Sequence, residues 1–88
     1  MIRKHVIVHG SVQGVGFRYW TRAEAARLSV TGWVRNRLDG TVEAEVEGTD
    51  SDVASLLDWL QHGPSSAVVS GVDSADIDVR GDTEFAVL

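Results

Sequence analysis

Thr41-Val42-Glu43-Ala44-Glu45-Val46-Glu47 alternates small or apolar residues with acidic ones from Val42 onward. Successive side chains of an extended chain point to opposite faces, so Val42, Ala44 and Val46 share one face and the three glutamates the other. A strand of this kind belongs to a sheet with one covered and one wet face. Leu38-Asp39-Gly40 just before it is a hairpin signal, and Thr31 to Arg37 before that reads as extended. Gly48 ends the strand. Thr49 or Asp50 can then cap a helix in which Val53, Leu56, Leu57 and Leu60 recur at helical spacing, stopped by Gly63-Pro64.

Toward the N-terminus, Val6 and Val8 alternate with His5, Ile7 and His9 as a first strand. Phe17, Thr21, Ala25 and Leu28 trace one helical face, with Arg22, Glu24 and Arg27 elsewhere. Downstream, Val68-Val69 and Val72 open a looser strand resumed at Ile77 and Val79. Phe85 and Val87 form a short fifth strand after the Gly81-Asp82 turn. The order β-α-β-β-α-β predicts a single α+β domain over 1–88, a ferredoxin-like sandwich of an antiparallel sheet with two helices on one face. The first strand and the Thr31–Arg37 strand are expected side by side at the centre and antiparallel. Paired along their full length, these strands carry Asn36, which shares a face with Val34, away from the end of the first strand, and contact with Arg18 then requires twist, register or the curl of the loop to bring them together.

Composition narrows the function classes. Apolar content of 43% with 24% charged residues is ordinary for a globular domain, and the absence of cysteine removes disulfides and thiolate metal sites. Met1-Ile2-Arg3-Lys4-His5 is not a secretory leader, and no apolar run is long enough to span a bilayer, so a cytoplasmic protein without a membrane partner is expected. The net charge of −5 hides an asymmetry: residues 1–40 hold seven basic against two acidic residues, residues 41–88 one against eleven. An acidic chain argues against a nucleic-acid partner, whereas a local positive field suits a small anion. Arg3, Lys4, Arg22 and Arg27 read as a solvated face.

The basic half contains Gly10-Ser11-Val12-Gln13-Gly14-Val15-Gly16-Phe17-Arg18, between the first strand and the first helix. Glycines at positive φ let a backbone curl so that successive N–H groups converge on an anion. A helix starting just after adds unpaired N–H groups and a positive dipole end, and Arg18 adds a planar charged fork. Ser11 lacks the elbow and the His/Asp partners of a nucleophile. No Lys-Ser/Thr pair follows Gly16, so this is not a nucleotide P-loop. Gln13 reads equally as a substrate contact or as a packing or capping residue. His5 and His9 lie about 13 Å apart by strand rise, too far to share a metal. His62 complements a helix dipole, and Trp20, Trp33 and Trp59 read as core or sheet-face residues.

Together with Thr31-Gly32-Trp33-Val34-Arg35-Asn36-Arg37-Leu38-Asp39-Gly40-Thr41-Val42-Glu43, this stretch resembles the acylphosphatase family, and Gly48 and Gly63-Pro64 also fall where that family has them. The resemblance implies metal-independent, cofactor-free hydrolysis of a small-molecule acyl phosphate, with inorganic phosphate as product and inhibitor. It implies that Arg18 binds the phosphoryl group, that Asn36 positions the attacking water, and that the two meet at one site. The phosphate-binding backbone is then Ser11, Val12, Gln13, Gly14 and Val15, in a monomer. Ser29 stands where the family commonly has glycine, and Phe85-Ala86-Val87-Leu88 lacks its frequent terminal aromatic. An amide can orient a water but cannot take its proton, so the substrate phosphate is the expected acceptor. An RNA-binding module of the same strand order fits poorly, because Glu43, Glu45 and Glu47 occupy the face that RNA would need. A phosphate-binding regulatory domain without turnover is the other alternative.

Overall fold

Val42, Ala44 and Val46 are buried on one face of their strand, as the alternation requires. The computed structural model describes all of residues 1–88: β1 (Ile2–Ser11), α1 (Phe17–Arg27), β2 (Thr31–Asn36), β3 (Val42–Gly48), α2 (Asp50–Leu60), β4 (Val68–Ile77) and β5 (Phe85–Val87). The two helices and the sheet make the ferredoxin-like sandwich. Val6, Val8 and Val34 join the β3 residues to meet Phe17, Thr21 and Ala25 of α1 and Val53, Leu56 and Leu60 of α2 in one core. Each Val, Leu or Phe side chain among them, fully buried, contributes about 1.5–3 kcal/mol.

Sheet order is β4-β1-β3-β2-β5, which corrects two expectations. The central pair is β1 and β3, not β1 and β2. Both β1 and β2 pair antiparallel to β3, so they run parallel to each other with β3 between. A strand–helix–strand crossover through α1 favours that direction. The C-terminal ends of β1 and β2 therefore share one edge of the sheet. Val8 and Asn36 both lie opposite Val42, one on each side. The second correction concerns β5, which pairs parallel to β2 and makes the sheet mixed rather than wholly antiparallel.

The open face is less wet than the alternation implies. Glu43 and Glu47 are buried, and so is Arg3, which is only 1% exposed rather than part of a solvated surface. Arg3 donates from Nε to Glu45 Oε1 at 2.9 Å and from Nη1 to Glu47 Oε1 and Asp82 Oδ2, each at 3.0 Å. Its Nη2, 2.8 Å from the same Glu45 oxygen but off-line, makes an ion pair without a hydrogen bond. The Arg80–Asp82 segment folds over this end, and the N–H groups of Arg80 and Gly81 donate to the Glu47 carboxylate at 2.8 and 3.0 Å. These backbone bonds, the Arg80 one foremost, with Arg3, hold the Glu47 carboxyl below the usual range despite burial. Glu43 is lowered likewise, first by His5 at 2.7 Å and then by Arg35 at 2.6 Å.

Local signals close the elements. Thr49 Oγ1 accepts from Asp52 N at 3.2 Å and caps α2. α1 ends with Ser29 N–H donating to Ala26 O and Val30 N–H to Ala25 O, a Schellman arrangement with Ser29 at φ 58°.

Candidate functional site

The chain leaves β1 at Ser11, whose ladder partner is Val68 on β4. Just before, between His9 and Gly10, the pairing register slips by one residue of β4, a bulge that bends the strand end. Val12 then turns back into the core, while Gly14 and Gly16 take φ of 75° and 77°. These left-handed positions curl the loop, and Gly16 serves as the N-cap of α1. Trp20 N–H bonds Gly16 O at 3.1 Å, so the N–H groups of Phe17, Arg18 and Tyr19 begin the helix without helical partners.

Val12, Gly14, Gly16, Phe17, Arg18, Tyr19 and Asn36 line one small cavity of about 80 Å³. A cavity of this size has room for a small group and not for an extended ligand. Arg18 and Asn36 thus share a site, because β1 and β2 end at the same sheet edge. Of the residues expected from sequence, Val12, Gly14, Arg18 and Asn36 come together here. Ser11, Gln13 and Val15 do not line the cavity. Ser11 is in the β1–β4 ladder, and Val15 O accepts from Ser66 Oγ at 2.8 Å. Gln13 Nε2 donates to Arg37 O and Thr41 O, at 2.7 and 2.9 Å.

The Arg18 guanidinium is aimed by two neighbours that the sequence did not single out. Nη1 donates to the main-chain oxygen of Leu88 at 2.8 Å, and Leu88 N–H in turn donates to Val34 O at 2.9 Å. Its Cζ lies 5.7 Å from the Tyr19 ring centroid, within cation–π range. One of five donors is thereby engaged, and the rest of the fork remains available for an anion. The exposed Tyr19 ring also lies within 6.0 Å of Arg22 Cζ. Tyr19 lies off the buried Phe17–Thr21–Ala25 face of α1, so only its adjacency to Arg18 could have pointed to it.

Asn36 opens on its other side to a shallow, solvent-open cleft of about 450 Å³ lined by Arg35, Asn36, Arg37, Leu38 and Asp39. The turn that forms it is a three-residue hairpin loop, closed by Arg37 N–H to Thr41 O at 2.9 Å with Gly40 in the left-handed region. Asp39 is committed to this turn, accepting from Thr41 N and Oγ1 at 3.0 and 2.6 Å. Those bonds, the Oγ1 one foremost, lower its pKa.

A family model described as Acylphosphatase matches residues 4–87. An acylphosphatase of Moorella thermoacetica is 45% identical over 87 residues, covering 99% of this chain and 94% of that one. One of Rhizobium etli is 55% identical over 69 residues, 78% and 73% of the two chains. The crystal structure of acylphosphatase from Bacillus subtilis superimposes with a TM-score of 0.97 at 34% identity, covering 100% and 99%.

Proposed function

The chain belongs to the acylphosphatase family and is an acylphosphatase enzyme, and we propose that it works with Arg18 as the phosphoryl-binding residue and Asn36 as the residue that orients the attacking water, without a metal. The reaction is R-CO-OPO₃²⁻ + H₂O → R-COO⁻ + H₂PO₄⁻. The observation that carries the reading is that Arg18, Asn36 and the glycine loop line one cavity of about 80 Å³.

Phosphoryl transfer demands charge neutralisation on the equatorial oxygens and an in-line nucleophile more than covalent chemistry. The amides of Val12, Gly14 and Gly16, the free N–H groups of the first α1 turn and the Arg18 fork supply the first. Leu88 O and Tyr19 hold the fork in place beforehand, so little reorganisation is needed when the phosphate arrives. Asn36 supplies the second. Its carboxamide oxygen accepts from a water entering by the open cleft beside the β2–β3 turn, and the water oxygen attacks phosphorus as the P–O bond to the acyl group breaks. The electron pair of that bond leaves on the carboxylate, and both water protons end on phosphate oxygens. No side chain need act as base.

The test is hydrolysis of benzoyl phosphate beside inhibition by inorganic phosphate, with and without EDTA. Arg18→Gln is expected to weaken phosphate binding and to lower turnover by roughly 10²–10³-fold, the range for one lost transition-state donor. Arg18→Lys restores only part, since a point charge lacks the fork. Asn36→Ala is expected to lose most turnover while phosphate inhibits as in the parent. Turnover that survives Asn36→Ala, or that needs a divalent ion after chelation, overturns the mechanism. Phosphate binding with no turnover in the parent chain would favour a binding domain instead.

A further inference from the structure

Gln13 belongs to the phosphate loop by sequence, yet its side chain leaves that loop. Both amide hydrogens of its Nε2 are spent on the β2–β3 turn: one on Arg37 O at 2.7 Å, one on Thr41 O at 2.9 Å. Those two carbonyls are the closing residues of the turn, and Arg37 directly follows Asn36. The placement matters because β1 and β2 never touch through the ladder. β3 separates them, and their last common row is Val8–Val42–Asn36. Beyond that row the loop carrying Gly14 and the turn that follows Asn36 project side by side with no ladder between them. The Gln13 amide is the hydrogen-bonded link across that gap.

We propose that Gln13 is a positioning residue, a tether that sets the distance between the phosphate loop and the Asn36 carboxamide. It acts on the alignment of the water rather than on the phosphate. This inference rests on the role given to Asn36 above. The chemistry of the link requires an amide. A glutamate of the same size offers no donor and turns a negative charge toward two carbonyl oxygens, and a methionine keeps the length but makes neither bond. One bond is exposed and the other half-buried, and none of Gln13, Arg37 and Thr41 belongs to the buried core, so their loss is expected to leave the sandwich intact.

The experiment uses Gln13→Met and Gln13→Glu, each in the parent chain and in the Asn36→Ala chain. Benzoyl phosphate gives kcat, and inorganic phosphate inhibition reports the loop. In the parent chain kcat is expected to fall about 10–100-fold, the penalty for a misplacement of the order of 1 Å. The phosphate inhibition constant is expected to stay within about two-fold, a split that a general loss of loop structure would not produce. In the Asn36→Ala chain the Gln13 variants are expected to cost nothing more, because the group they position is already gone. An unchanged kcat, a phosphate constant that worsens in step with kcat, or full additivity with Asn36→Ala overturns the tether while leaving the role of Asn36 standing. Wild-type turnover in Asn36→Ala alone overturns that role, and the tether with it. If Gln13→Met does not fold, Gln13→Glu carries the same expectations.

Discussion

Replacing Gly14 tests how the loop makes its anion site. Gly14 has φ 75°, and a Cβ built there meets no atom within 4 Å. Crowding therefore contributes nothing, and the whole effect of a side chain is conformational. An L-residue in the left-handed region costs about 1–2 kcal/mol. The loop is exposed at this point, so the free protein can escape the cost by swinging φ negative, which turns neighbouring amides out of the cradle. The penalty then falls on binding: the anion must restore the curl at its own expense. At 1.4 kcal/mol per decade, Gly14→Ala is expected to raise the phosphate inhibition constant roughly 5–30-fold. Gly14→Asn should lose less, because asparagine tolerates this region, and Gly14→Val more, because a β-branched residue does not. Melting without phosphate should barely change across the series, while the gain in melting temperature at a fixed phosphate concentration should shrink from Gly to Asn to Ala to Val. Parent-like phosphate affinity in both Gly14→Ala and Gly14→Val would refute the reasoning, as would a large drop in melting temperature with affinity intact.

Ser29 occupies a left-handed position, φ 58°, where α1 ends. Ser29→Gly is expected to stabilise the fold by about 0.5–1 kcal/mol, the relief of left-handed strain less the extra freedom of glycine in the unfolded chain. Urea unfolding should show a higher midpoint at unchanged slope and unchanged activity, and a lower midpoint would contradict it. Acid should weaken the open face of the sheet. The Glu47 and Glu43 carboxyls are depressed in the fold, so their stabilisation is fully present above the unfolded glutamate value, about 4.3, and is lost as pH falls through the folded values below it. Glu47→Gln should lower stability at pH 7 by roughly 1–3 kcal/mol and flatten the decline between pH 5 and pH 3. An acid limb as steep as the parent's would locate the sensitivity elsewhere.

Which parts of this molecule could be read from sequence follows from the range of each interaction. Strand and helix faces are local, so Val42/Ala44/Val46 and Val53/Leu56/Leu60 declared their burial by period alone. Gly40, Thr49 and Ser29 lie at turn or cap positions whose backbone demands are set by a few neighbours. Strand order is not local. Nothing within Thr31–Arg37 says that β3 inserts between it and β1, and reading the two as neighbours turned Asn36 away from the loop it in fact faces. The burial of Arg3 and Glu47 was invisible for the same reason: their partners Asp82, Arg80 and Gly81 come from more than thirty residues away. Gln13 could be flagged but not assigned, since an amide that grips Arg37 O and Thr41 O looks identical in sequence to one that grips a substrate.

The placement of the paired charges bears on how a chain of net charge −5 would receive the phosphate dianion of the proposed reaction. Strand rise puts Arg3 about 26 Å from Ser11. The Arg3–Glu45–Glu47–Asp82 cluster therefore lies toward the opposite end of β1 from the phosphate loop, more than two Debye lengths away at physiological salt. Lys4–Asp76 lies near that same end. Acidic groups closer to the loop have local partners: Glu43 is ion-paired with Arg35 and hydrogen-bonded to His5, Asp73 is hydrogen-bonded to His9, and Asp39 is held by its turn with Arg37 at 3.7 Å. Among the residues that line the cavity Arg18 is the one charged side chain, and none is a carboxylate. On the proposed assignment, the field at a bound phosphate would be set by a handful of fixed dipoles and the one guanidinium of Arg18. The net charge of the whole chain acts only through screened solvent, where it slows approach slightly and weakens binding little.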